Sequence, residues 1–158
     1  MKASIKKGLS FGLTSGIITT LGLIVGLYSG TASKSVVLGG ILTIAIADSL
    51  SDALGVHMSE ESVKDNSHQA VWEATIATFL TKFIFALSFV IPVILFELRT
   101  AVIVSVIWGF AALLIINYRM ARSKGEKPLR VIAEHVSIAT VVVIATYFVG
   151  NYISLIFK

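Results

Sequence analysis

The sequence predicts an all-α membrane protein of five transmembrane helices with its N-terminus in the cytoplasm. Three observations predict it. Five apolar stretches are each near the roughly 20 residues that a hydrocarbon core requires. Charged residues make up 14% of the 158 residues, and mean hydropathy is +0.90, whereas a soluble domain carries about 25% charged residues. The basic residues also collect in alternate connections, which is how orientation is set.

The stretches run approximately over residues 8–29, 36–58, 71–95, 100–118 and 130–157, forming a single domain over 1–158 with no linker or repeat. Tyr28–Ser33, Ser59–Gln69, Phe96–Arg99 and Arg119–Pro128 separate them with turn-forming or polar residues. With five spans, the N-terminus and the second and fourth connections share one side. That side holds Lys2, Lys6, Lys7, Lys64, Arg119, Arg122, Lys124, Lys127 and Arg130; the other holds Lys34, Arg99 and Lys158. This asymmetry predicts that the first side is cytoplasmic, and it accounts for the net charge of +4 without a nucleic-acid partner. Lys2, Lys6 and Lys7 before an apolar run also resemble a secretory signal, but the run is too long and lacks a small-x-small cleavage site. It is expected to be a retained first helix.

That first helix carries Gly8, Gly12, Gly16, Gly22, Gly26 and Gly30. At about 100° per residue they fall on one arc of about 120°, which Ser15 and Thr19 share and Phe11 borders. Such a face lets another backbone approach closely. Packing inside one subunit is one reading. The sharper one is that Gly12, Gly16, Thr19, Gly22 and Gly26 meet a second copy of the helix across a dimer axis, or line a path there.

The second stretch contains Asp48 and Asp52, four residues apart and so on one helix face, with Ser51, Gly55 and Ser59 extending the stripe. Each Asp at a helix centre costs about 2.5–3.5 kcal/mol. The ten Val, Leu and Ile residues from Val36 to Val56 return about 0.3–0.6 kcal/mol each, so the helix barely inserts alone. Its carboxylates must face protein, water or a cation. Lys82, about ten residues into the third stretch and at nearly the depth of Asp48, is the expected structural partner of Asp48. Asp52 is then left free to bind a cation or proton, with Ser51 and Ser15 as neutral ligands. Glu60, Glu61, Glu73 and Glu134, with Asp65, His68 and His135 nearby, are candidates for metal uptake at the cytoplasmic mouth; oxygen and imidazole donors suit Mn²⁺ or Fe²⁺. Charged residues at a helix mouth are also commonly just solvated. His57 reads as an interfacial histidine, and Met58 and Met120 as packing residues.

Gly8-Leu-Ser-Phe-Gly-Leu-Thr-Ser15, Ser29-Gly-Thr-Ala-Ser-Lys-Ser35 and Ser49-Leu-Ser-Asp-Ala-Leu-Gly55 resemble the first two helices of the vacuolar iron transporter family. Pro92, Gly125-Glu-Lys-Pro-Leu-Arg130 and Tyr147-Phe-Val-Gly150 resemble its later elements. The resemblance implies a five-helix homodimer in the lipid bilayer that exports Fe²⁺, and often Mn²⁺, from the cytosol by proton exchange. Its path would run between subunits along the first two helices, with no permanently bound cofactor. The membrane would be the cell membrane in a prokaryote and a vacuolar-type membrane in a eukaryote. The chain departs from the family in three places. Phe11 stands where the family has aspartate, Asp52 where it has methionine, and Asp48 where it has a small residue. The Glu-rich cytoplasmic insertion of many members is also missing between the second and third helices. A carboxylate site without the thioether favours harder cations such as Mn²⁺. The alternative function is a non-transporting membrane scaffold or partner protein of the same fold. No enzyme is expected: the aspartate pair superficially resembles half of a CDP-alcohol phosphotransferase signature whose other half is absent, and an intramembrane aspartyl protease needs its two aspartates on different helices.

Overall fold

The structure, a computed structural model, describes residues 2–157. Its elements are α1 (Ala3–Thr31), α2 (Lys34–Glu61), α3 (His68–Ser88), α4 (Val90–Leu95), α5 (Leu98–Lys124) and α6 (Pro128–Ile156). With α3 and α4 taken as one span, five helices are long and apolar enough to cross a membrane, and no strand occurs among the described residues.

The helices outrun the apolar stretches at most ends. α1 begins at Ala3, so Lys6 and Lys7 lie on its first turns, and α5 continues to Lys124 through residues read from the sequence as a connection. Hydropathy marks where the apolar layer ends, whereas a helix ends where its capping chemistry lies. Gly125, at φ 71°, closes α5 with its N–H directed to Arg122 O, and Glu126 N–H bonds Ala121 O, a glycine-terminated helix end. Ser67 caps α3 by accepting the Ala70 N–H, and Pro128 starts α6 at a position that needs no donor.

The third span, read as continuous, is broken at Phe89. Pro92 has no N–H for the carbonyl of Ser88, and its ring crowds that carbonyl. The turn tightens locally, with Phe89 N–H bonding Ala86 O. The Ser88 side-chain hydroxyl there donates to Phe85 O and accepts from Trp108 Nε1 at 3.1 Å.

α1 is the central helix and packs mainly against α3 and α6. Its glycines explain how. A Cβ at Gly8 would lie 2.4 Å from Ala74 O, and one at Gly12 would lie 2.7 Å from Thr78 O, so the N-terminal half of α1 touches the α3 backbone. Gly22 and Gly26 face Val142 and Thr146 of α6, while Gly150 sits against Gly26 O and Ser29. This is the first of the two readings of the arc, packing inside one subunit. Within the chain, Gly12 and Gly16 are buried against α3 and Gly22 against α6, with Gly26 partly covered by α6, because these two helices, which run parallel to α1, pack on its small-residue face.

A candidate cation site

At mid-membrane depth three helices bring together Ser15 and Thr19 of α1, Asp48 and Asp52 of α2, and Lys82 of α3. Thirteen residues separate Asp48 from Glu61 at the end of α2, and fourteen separate His68 at the start of α3 from Lys82, in each case about 20 Å of helix rise from the shared end. The α2–α3 hairpin thus places carboxylates and ammonium at one level. Gly16 allows the closeness, since a Cβ there would lie 3.1 Å from Lys82 Cγ.

Lys82 is the largest fully buried side chain, 1% exposed. Its Nζ lies 2.5 Å from Asp48 Oδ2, also pairs with Asp52 Oδ2, and donates to Ser15 Oγ at 2.9 Å. Ser15 Oγ donates to Asp52 Oδ2 at 2.7 Å, and Thr19 Oγ1 lies 3.0 Å from Asp48 Oδ2 and 2.9 Å from Ser15 O. The sequence reading gave Lys82 to Asp48 and left Asp52 unpaired. Instead the lysine spans both, because carboxylates one turn apart on one face lie within reach of a single long side chain. Their side chains remain 27% and 24% exposed, so the pair is partly open.

Two grooves lead from the cluster towards the basic end. One, of about 540 Å³, runs along α2 and is lined by Lys7, Phe11, Ser51, Asp52, Gly55, Val56, Ser59 and Glu60. The other, of about 480 Å³, lies between α1 and the α5–α6 connection. Its walls include Ser10, Thr14, Ser15, Thr19, Met120, Lys124, Glu126, Glu134 and His135. Phe11 borders both. The aromatic ring in place of the family aspartate is therefore a wall between two approaches to the aspartates.

The acidic candidates at the mouth are not gathered. Glu60 binds Lys7 and Asn66, Glu73 binds Lys2, Ser4 and Gln69, and Glu134 binds Arg130. Glu61 is exposed at the end of α2. Among the described residues no three His, Asp or Glu side chains stand close enough to hold a metal. His57 bonds Thr75 at 3.0 Å and meets Trp72 edge-on, away from the aspartates; Trp72 donates to His68. The role of Thr19 beside Asp48 was not read from the sequence. Its signal was the four-residue spacing from Ser15 at the depth of the aspartate pair.

Long apolar helices around an ionisable centre make this an integral, multi-pass membrane protein with a polar site inside the bilayer. The sequence profile of the VIT family matches residues 56–151, more than half of the chain. The chain belongs to that family, the vacuolar iron transporters. Membership points to metal-ion transport across a membrane rather than to an enzyme. No curated protein sequence matches the chain significantly. Lys82 lies within the matched residues, whereas Ser15, Thr19, Asp48 and Asp52 precede them.

Proposed function

We propose that the chain carries a divalent cation, Mn²⁺ or Fe²⁺, out of the cytosol in exchange for protons, with Asp52 as the principal ligand. Asp48, Ser15 and Ser51 stand beside it. The observation that carries this reading is the pair of partly open carboxylates halfway through the bilayer, at the head of a groove. Ionisable residues at that depth are costly and mark ion or proton paths. All-oxygen donors suit a hard cation, which favours Mn²⁺. The basic end is cytoplasmic in this reading. A cysteine at Ser123, in a chain with none of its own, is then shielded from an impermeant thiol reagent in intact cells.

The test is Mn²⁺ uptake into vesicles containing the purified protein. Wild type is expected to carry Mn²⁺ and Asp52→Asn to fall to the level of empty vesicles. Equal uptake by the two would remove Asp52 from the path. A second reading, a non-transporting scaffold, draws on Lys82 binding both aspartates, a closed ionic cluster of the kind that only holds helices together. It predicts no uptake by wild type. The family implies a homodimer. Because most of the α1 glycines are covered within the chain, we assign the contact to the open face of α2, where Gly39, Thr43, Ala47, Ser51 and Gly55 recur every fourth residue and are all exposed.

A further inference from the structure

The ammonium of Lys82 stands where a cation bound by this cluster would have to stand. An ammonium has three donors and no acceptor; Ser15 Oγ and Asp52 Oδ2 each take one, and Asp48 Oδ2 stands in ion-pair contact beside them. Two carboxylates and a hydroxyl are also donors that a hard divalent cation accepts. The ammonium and a divalent cation cannot share them: each needs the same Oδ2 atoms, and two positive charges at that separation repel strongly in a medium of low dielectric. The stem of Lys82 is held between α1 and α3 against Gly16, whereas its end is a compact charge on a flexible chain. Asp52, about a quarter exposed, also lines the α2 groove.

We propose that Lys82 is a tethered competitor of the cargo: its ammonium holds the cation position in the empty carrier, and the incoming metal binds by displacing it from Asp52. This rests on the reading of Asp52 as a metal ligand. The lysine has two consequences there. The empty cluster never presents two bare carboxylates to the membrane interior, where they are costly, and the metal is held more weakly than the carboxylates alone would hold it, which favours release.

The experiment measures Mn²⁺ binding to the purified protein in detergent from the loss of the free Mn²⁺ paramagnetic resonance signal. Lys82→Met is expected to bind at least about tenfold more tightly than wild type, since it removes a full positive charge next to the site. Should that variant not fold, the comparison is Asp48→Asn against Asp48→Asn/Lys82→Met, in which no carboxylate pair is left uncompensated. The double variant is expected to bind at least about tenfold more tightly than Asp48→Asn. Unchanged or weaker binding after loss of the lysine overturns the proposal. Metal binding that is lost in Asp52→Asn but indifferent to Lys82 sinks this inference alone. Wild-type affinity in Asp52→Asn, or no Mn²⁺ binding in any variant, removes the metal-ligand reading and this inference with it.

Discussion

At the scale of single residues, the stability of the site is set by which charges are left without a partner. Lys82→Met removes the cation that, among the described residues, pairs with Asp48 and Asp52, whereas Asp48→Asn leaves Lys82 with Asp52 and Ser15. Breaking a buried pair by deleting one partner costs about 3–5 kcal/mol, mostly through the charge left behind. Lys82→Met is therefore expected to be the most destabilising change at the site, by about that amount. Asp48→Asn should cost less, and Asp48→Asn/Lys82→Met should recover part of the loss. Thermal unfolding in detergent orders the three. A double variant no more stable than Lys82→Met would show that the lysine stabilises through its packed stem rather than through its charge. Thr19 has a smaller part: its hydroxyl reaches both Asp48 Oδ2 and Ser15 O. Thr19→Val should cost about 1–2 kcal/mol, as loss of a hydrogen bond to a charged group does, and an unchanged melting temperature would remove it from the cluster.

At the scale of elements, α1 and α2 use small residues for opposite purposes. A Cβ at Gly12 meets the backbone oxygen of Thr78 at 2.7 Å, and a backbone atom cannot turn aside. Gly12→Ala should therefore force α1 and α3 apart and cost about 1–3 kcal/mol, as overpacking of a tight contact does. At Gly55 of α2 an added Cβ meets nothing within 4 Å, so Gly55→Ala should leave the chain as stable or raise it by up to about 1 kcal/mol through helix propensity. Equal melting temperatures for Gly12→Ala and wild type would refute the close α1–α3 contact. The contrast also shows what the sequence carries. The five spans were legible because an apolar run of bilayer length has few other uses, and the Asp48–Lys82 pair because opposite charges at matching depth need one another, although Asp52 was read as unpaired. The glycine arc was legible as a face, but periodicity does not name what covers a face, and here it is α3 and α6. Helix ends and the break at Phe89 were harder, since hydropathy does not change where a cap or Pro92 acts. That Lys82 spans both carboxylates depends on how far α3 slides along α1, which Gly16 decides and no spacing within one helix reveals.

At the scale of the whole molecule, the chain leaves one polar face open to what would be lipid. Thr43, Ala47 and Ser51 of α2 are exposed alongside Gly39 and Gly55, and the adjacent Asp48 and Asp52 are about a quarter open. Lipid tails cannot satisfy carboxylates or hydroxyls, whereas small residues four apart let another helix approach closely. A second copy bringing its own α2 against this face would close both needs. It would also join the two α2 grooves, so that each Asp52 stood near the other across the axis. Ala47→Leu and Gly55→Leu are expected to convert a detergent-solubilised dimer to monomer, read by light scattering on a sizing column, with little change in the unfolding of each chain. Gly22→Leu, which collides with Val142 of α6, should instead destabilise the chain itself. If the dimer survives both α2 substitutions, the second copy sits elsewhere. The apolar groove of about 430 Å³ between α1 and α6, lined by Leu23, Leu27, Val149 and Ile153 among others, is then the next surface to block. In that case the carboxylates would open to a path within each subunit, and the groove beside Glu134 and His135 would be the remaining approach from the basic end.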